Sequence, residues 1–361
     1  METNSELLPL ISDSHERFRR IRELGSGTYG RVMLALDRDL QQRCALKILQ
    51  KSTTKHRDFQ REYNYSLLLS THRSIITTYE DRCFQTLDAY ILVQEYAPLG
   101  DLFESIPPQR GLPERAVKTI IKQVASALEF MHDNGLVHRD VKPENVMIFD
   151  AAFHRVKLID FGMTRKYGSY VRRLIGSIPY SPPEVCNAVN NEILVSTTMD
   201  VWAFGVLLFC SLTGNFPWEH AQDSDVYYNE YIQWHRQYPL QRRYKLPSQW
   251  YRFSNRLMRL FRKMLDPEPS KRCGIIEISK YYDDRWVNGQ LNSRRRSSNE
   301  DEGVEEDFSS SGSGTESNTI TTSNTDFEEL TQMMRNSLIG FDNLIPIENQ
   351  QSLSNIAKTY C

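Results

Sequence analysis

The stretch that most constrains this chain is Val137-His138-Arg139-Asp140-Val141-Lys142-Pro143-Glu144-Asn145-Val146. It sets an acid, a cation and an amide at fixed short spacing between one apolar segment and another. Taken alone, an Asp, a Lys and an Asn in a loop are usually a solvated turn. Their order also suits in-line phosphoryl transfer. That reaction needs a carboxylate to orient a hydroxyl, a cation for developing charge and an amide oxygen for a metal. Which reading holds depends on partners elsewhere in the chain.

At 361 residues the chain can hold one large domain or two ordinary ones, with 40% hydrophobic residues to build a core. A net charge of -2 gives no bulk attraction to nucleic acid or to an anionic membrane. Cys44, Cys83, Cys186, Cys210, Cys273 and Cys361 show no paired spacing of the zinc or disulfide kind. A reduced, cytoplasmic chain is expected, with access to the nucleus left open. The opening Met1-Glu2-Thr3 predicts neither a signal peptide nor myristoylation, and the position of Cys361 predicts no prenylation. The most apolar run, residues 201–212, is too short to insert across a bilayer and reads as a buried helix.

Residues 1–17 are polar and read as a flexible leader. From 18 to 36 apolar residues flank the turn Leu24-Gly25-Ser26-Gly27-Thr28-Tyr29-Gly30-Arg31-Val32, and Cys44-Ala45-Leu46-Lys47-Ile48-Leu49 is strand-like. Residues 58–69 have helical character, with Phe59, Tyr63 and Leu67 near one face. Residues 90–96 read as a buried strand, and from 112 onward the pattern is mostly helical. Strands in front and helices behind predict an α+β fold of two segregated lobes. After Trp286 the composition changes: Arg294-Arg295-Arg296, Ser297-Ser298, an acidic run, then a Ser/Thr/Gly/Asn-rich stretch. Residues 287–361 are therefore expected to be a largely disordered tail. Within it, residues 325–341 carry capping-box spacing at Thr325 and Glu328 and apolar residues near helical period, an amphipathic segment suited to a groove on this domain or on a partner.

Glycines at 25, 27 and 30 let a backbone approach triphosphate oxygens where a side chain would clash. A glycine-containing hairpin is the plain alternative, but Val32 and Lys47 follow at the expected places. Leu158-Ile159-Asp160-Phe161-Gly162 adds a carboxylate after Asp140 and Asn145 in the right order. Tyr180-Ser181-Pro182-Pro183-Glu184, Asp200-Val201-Trp202-Ala203-Phe204-Gly205 and Arg272 complete the series. Over residues 18–286 the ordered motifs resemble those of eukaryotic protein kinases. Gly162-Met163-Thr164-Arg165, Gly176-Ser177-Ile178-Pro179-Tyr180 and the helix through Arg61-Glu62-Tyr63-Asn64-Tyr65-Ser66-Leu67 look like the Src-homology-3-binding kinase family. The tail holds no proline-rich ligand, its only proline being Pro346.

The resemblance implies a bilobal fold, ATP and Mg²⁺ as cofactors, and protein substrates. It implies Asp140 as the residue that accepts or orients the hydroxyl proton, with Lys142 and Lys47 on phosphate charge and Glu62 holding Lys47. It implies Asn145 and Asp160 as metal ligands. The glycine loop from Leu24 to Gly30, including Ser26, Thr28 and Tyr29, would cover the phosphates, and Val32 and Ala45 would roof the adenine. Glu95 to Ala97 would be the hinge whose backbone holds adenine, with Gln94 at the back of the pocket, Met147 its floor and Asp101 on the ribose. Glu184 would pair with Arg272, and Asp200 would anchor the catalytic-loop backbone. Lys142 and Ser177 imply Ser/Thr rather than Tyr specificity. Two other classes stand beside this reading: a pseudokinase scaffold, whose mark is loss of Lys47, Asp140 or Asp160, and an interaction protein working through the tail.

In many kinases the Arg before the catalytic Asp binds an activation-loop phosphate. Here that is Arg139, and the usual phosphoacceptor position holds Arg173 beside Arg172. The expectation is an acidic side chain from elsewhere that neutralises this cluster, with Ser169 or Tyr170 phosphate as the alternative.

Overall fold

The structure is a computed structural model that describes residues 8–10, 17–27, 30–173, 178–188, 192–238 and 245–288. Thr28, Tyr29, Gly176, Ser177, Ser297, Ser298 and the 325–341 segment lie outside the described residues.

Alternation in the amino-terminal third makes strands. β1 (Phe18–Gly27), β2 (Gly30–Asp37), β3 (Gln42–Gln50), β4 (Phe84–Gln85) and β5 (Ala89–Glu95) form one antiparallel sheet in the order β1-β2-β3-β5-β4. In β3, Cys44, Leu46 and Ile48 are buried while Ala45 and Lys47 take the other face, the period of two that a pleated strand imposes. Val32 lies opposite Lys47 in register, and Leu34 opposite Ala45. Register shifts between Arg20 and Arg22 and between Glu23 and Gly25 bend β1 toward its glycine-rich end.

Gly30 has a reason beyond ligand approach. A Cβ there would lie 2.0 Å from the Ile48 carbonyl oxygen, so the pairing with β3 alone excludes any other residue. Around Gly25 and Gly27 the same positions meet nothing within 4 Å.

Helix α1 (His56–Leu69) crosses this sheet. Its buried face is Phe59, Glu62, Ser66 and Leu69, which corrects the expected Phe59, Tyr63, Leu67 stripe by a small rotation. The rotation has a cause: it turns Glu62 toward Lys47 on β3.

Within the expected leader, residues 8–10 are held against the sheet. Leu10 forms a parallel bridge with Gln85, Gln85 donates its backbone N–H to the Pro9 carbonyl and its side-chain amide to the Leu8 carbonyl, and Leu8 is buried in the sheet's core beside Phe18 and Phe84. β4 is an edge strand with unpaired backbone groups, and residues 8–10 satisfy them.

The second lobe is helical: α2 (Leu102–Ser105), α3 (Glu114–Asp133), α4 (Pro183–Cys186), α5 (Thr197–Thr213), α6 (Val226–Gln237) and α7 (Asn255–Met264). α5 is buried on all sides from Met199 onward, starts at a Ser196 cap and stops at Gly214 in the left-handed region. Short pairs line the face toward the sheet lobe: β6 (Leu136–Val137) with β9 (Arg165–Lys166), and β7 (Val146–Ile148) with β8 (Val156–Leu158). A further pair, β10 (Tyr170–Arg172) with β11 (Glu192–Leu194), ties down part of the segment after Gly162. The lobe closes with buried Trp286 and a Phe253–Val287 bridge. Each lobe has its own apolar core, the α+β division expected. Among the described residues the cysteines are free, and no helix is long and apolar enough to cross a membrane.

Candidate active site

The catalytic loop is fixed from beneath by one carboxylate. Asp200, wholly buried in the first turn of α5, accepts from the His138 and Arg139 backbone N–H groups at 2.8 Å each and from His132 Nε2 at 2.9 Å. Burial by itself would raise this carboxyl; the His132 hydrogen bond and charge outweigh it and hold it below the usual range. The backbone it grips is strained, with Arg139 at φ 69°. His138 accepts the Asp140 N–H at Nδ1, so Nε2 carries the proton given to the Ile159 carbonyl at 2.9 Å. One ring thereby ties Asp140 to the segment of Asp160.

Asp140 stands on this anchored loop with its Oδ2 2.9 Å from both Lys142 Nζ and Asn145 Nδ2. Asn145 Nδ2 also donates to the Asp140 carbonyl at 2.7 Å, which leaves the amide oxygen as the group Asn145 can offer a cation. Burial alone would lower the Lys142 ammonium, but Asp140 beside it raises it above the ordinary value.

On the opposite side, Lys47 Nζ is 2.6 Å from Glu62 Oε1 and 2.9 Å from Asp160 Oδ1. Burial opposes a charge at Lys47, yet the two carboxylates hold its ammonium well above the usual range. Burial likewise would raise Asp160; Lys47, together with the Gly162 N–H, holds it below the usual carboxylate range. Asp160 sits at φ 67°, a second strained residue at the same cleft. Phe161 behind it is buried, edge-on to the His138 ring at 5.7 Å.

The expected nucleotide residues divide into three groups. Ala45 and Lys47 share the cleft face of β3, and Val32 lies beside them in register. Met147 and Asp101 form a bridge at the floor, where Asp101 caps α2 through the Glu104 N–H at 3.0 Å. Leu24, Gly25, Ser26 and Gly27 lie at the end of β1 over the cleft, and Gly25 to Gly27 are exposed. Ala97 is buried and Gln94 gives its amide to Thr78 Oγ1 at 3.0 Å. The Glu95 carboxylate is turned to Thr77, Lys157 and Arg155 instead of to the cleft. Sequence reasoning missed Lys157 entirely. Its one signal was a lysine inside the apolar triplet Val156-Lys157-Leu158, three residues before Asp160.

Glu184 and Arg272 meet in a two-pronged pair at 2.6 and 2.7 Å, and the guanidinium lies over Trp202 at 4.8 Å. In the segment after Asp160, no acidic side chain forms an ion pair with Arg172 or Arg173 among the described residues, against the expected neutraliser. Arg172 does face Glu192 across β10 and β11. Arg173 is answered by carbonyl oxygens, Cys186 at 2.5 Å and Ala188 at 3.1 Å, at the end of α4. A guanidinium suits that place because a helix carboxyl end carries free carbonyls and partial negative charge. Arg139 gives Nη1 to the Met163 carbonyl at 3.1 Å, and burial with Arg165 nearby lowers its guanidinium to about 10.

A strand lobe over a helical lobe, with a lysine–glutamate–aspartate cluster facing an anchored Asp-Lys-Asn loop, defines a phosphotransferase of the protein-kinase class. The family model described as the protein kinase domain matches residues 18–287. Serine/threonine-protein kinase SBK1 of Danio rerio is 49% identical over 268 residues, 74% of this chain and 68% of that protein. SBK1 of Mus musculus is 48% identical over 271 residues, 75% of this chain and 64% of the relative. SBK2 of Homo sapiens is 38% identical over 289 residues, 79% and 82% respectively. The chain therefore belongs to the protein kinase family, in the branch of the SBK serine/threonine kinases. The aligned part spans about two thirds of the length of the two SBK1 relatives.

Proposed function

We propose that this kinase transfers the γ-phosphoryl group of ATP to Ser or Thr hydroxyls of protein substrates, with the residue roles that follow. The observation that carries the reading is the Lys47 ammonium shared by Glu62 and Asp160, opposite a loop in which Lys142 and Asn145 both hold Asp140. Asn145 and Asp160 are the uncharged and anionic oxygen donors that Mg²⁺ prefers, and would hold it. The ion when bound supplies neutralisation of phosphate charge.

The chain's own residues do the remainder. Lys47, fixed by Glu62, offers its ammonium to the α and β phosphates. Asp140 orients the acceptor hydroxyl and takes its proton as the oxygen bonds to the γ-phosphorus and the bond to the β–γ bridging oxygen breaks. Lys142 lies close enough to Asp140 to meet the charge of the moving phosphoryl group. Positioning and preset charge of this kind supply most of the barrier lowering in phosphoryl transfer. The glycine turn covers the phosphates, and the backbone of Glu95 to Ala97 holds adenine above Met147.

The pseudokinase reading is not favoured. Lys47, Asp140 and Asp160 are all present, and the relatives are named as kinases. The cytoplasm is the proposed compartment, and residues 325–341 the proposed contact for a partner. A peptide array incubated with the purified chain and γ-labelled ATP tests the substrate class. Label on Ser and Thr peptides is expected. Label confined to Tyr, or equal to that left by Asp140→Asn, would overturn it.

A further inference from the structure

The Glu95 side chain closes a small charged cluster behind the hinge. Its Oε1 accepts from the Thr77 N–H at 2.7 Å and pairs with Lys157 Nζ, while Oε2 takes Arg155 Nη2 at 2.6 Å. Lys157 Nζ also reaches Thr77 Oγ1 at 3.3 Å. Phe149 lies under both cations, 4.4 Å from the Arg155 guanidinium and 5.7 Å from Lys157. The Glu95 and Lys157 side chains keep only 9% and 7% of their surface exposed.

The backbone around this cluster shows what it joins. Residues 74–79 run between β5 and β8. Tyr79 N–H bonds the Val93 carbonyl at 2.8 Å and Glu95 N–H the Thr77 carbonyl at 3.0 Å. On the other side Ile76 N–H bonds the Leu158 carbonyl at 3.0 Å and Leu158 N–H the Ser74 carbonyl at 2.9 Å. Through backbone, the end of β5 reaches the strand leading to Asp160 by way of this intervening segment, and the residues after β5 reach it by way of Ile148 on β7. Lys157 bypasses both routes with one bond, three residues before Asp160.

A buried ion pair is a poor choice for stability alone, since apolar residues of equal volume often serve as well or better. What the pair provides is direction: a carboxylate with three donors has little freedom to rotate. We infer that Glu95 and Lys157 form a positioning brace that fixes the adenine-binding hinge relative to Asp160, so that adenine and phosphates fit one rigid frame. The inference rests on the nucleotide site proposed above.

The test separates nucleotide affinity from chemistry and from folding. Lys157→Met is expected to raise KM for ATP, and the Kd for ADP read by calorimetry, roughly tenfold, as a shift in a preset frame would. The peptide KM and kcat at saturating ATP should stay within about twofold, and Lys157→Arg should restore ATP binding to within about threefold, because the charge and reach are kept. A melting temperature that falls while KM for ATP and Kd for ADP stay at wild-type values would overturn the brace. A peptide KM that rises in step would do so as well. Should Lys157→Met fail to fold, Arg155→Ala removes the half-exposed arm of the cluster and is expected to raise both nucleotide constants about threefold. No change there overturns the proposal equally. A wild type that binds ADP without transferring phosphate removes the kinase reading and leaves the brace to be judged on Kd. One that binds no nucleotide overturns both.

Discussion

Lys47 and Lys157 are two lysines in apolar strands, each held by carboxylates, yet they stand in opposite situations. Lys47 meets Glu62 and Asp160, and the Asp160 side chain keeps 42% of its surface exposed. Lys157 meets Glu95, whose remaining oxygen is taken by Arg155 and whose side chain keeps 9%. The first cluster has an open side where a new anion or cation can enter and exchange partners. The second is enclosed, with both Glu95 oxygens partnered. The same pairing is therefore a site where a carboxylate still faces solvent, and a brace where both carboxylate oxygens are held by donors.

The largest expected effect breaks the open cluster. Lys47→Met and Asp160→Ala are each expected to lower phosphoryl transfer by at least about a hundredfold, because charge preset for the transition state is removed. Both variants should fold, since each loss is at a partly open cluster, and a circular dichroism melt checks this. An Asp160→Ala enzyme within tenfold of wild type in a radiolabel assay would remove Asp160 from the metal role. Set beside Lys157→Met, the pair of experiments asks whether one lysine governs chemistry while the other governs only nucleotide fit.

A closed cluster farther from the cleft shows the stability side. Arg272 is fully buried and holds Glu184 by two bonds while also donating to the Asp266 and Thr198 carbonyls. Arg272→Met leaves Glu184 and two carbonyls without their donor. Glu184 keeps 24% exposure, so the cost should sit near the lower end of a broken buried pair, about 3 kcal/mol. Urea unfolding gives the number directly. A loss below about 1 kcal/mol would place this pair with ordinary surface bridges.

How much of this was legible beforehand follows the same division. Asp140, Lys142 and Asn145 fall within one short loop, and Asp160 within one tripeptide, so contiguous spacing exposed them. The two lobes were visible because strand alternation stops and helical periodicity begins along the chain. Glu95 and Lys157 are 62 positions apart, and nothing local marks either as the other's partner. Leu8, Pro9 and Leu10 were grouped with the polar residues around them; their placement comes largely from backbone bonding to an edge strand, which side-chain pattern does not encode. Gly30 was assigned to ligand approach, whereas the Ile48 carbonyl already forbids a side chain there. Arg173 was read as a charge needing an acid. Its partners are carbonyl oxygens, which sequence hides completely because every residue has one.

Arg173 supplies a smaller prediction. β10 with β11, and the guanidinium on the α4 carbonyls, hold the described part of the activation segment without a phosphate. We expect enzyme made with a co-expressed phosphatase, confirmed unphosphorylated by mass, to turn over linearly from the earliest times. Arg173→Ala should lower kcat by no more than roughly tenfold, the worth of charge-assisted bonds at a half-exposed site. A long lag that disappears after autophosphorylation at Ser169 or Tyr170 would reverse the assignment.

The smallest effect tests the comparison from its other end, a carboxylate that meets no cation among the described residues. Asp101 caps α2 and is pushed from 3.8 up to about 7, first by burial and then by Glu104 and Glu144 nearby, against the Glu104 N–H that favours the charged form. Between those two values the folded chain keeps a proton that the unfolded chain has released. Stability contributed at this residue is therefore greatest below about pH 4 and falls as pH rises toward 7. Asp101→Asn keeps an oxygen for the cap and cannot ionise. The melting temperature of the variant relative to wild type should climb steadily from pH 4 to pH 7 and level off above that range. A flat difference would mean that water or a cation already compensates the charge. A difference that shrinks with rising pH would mean the carboxylate is favoured when folded, and Asp101 would then belong with Glu95 rather than opposite it.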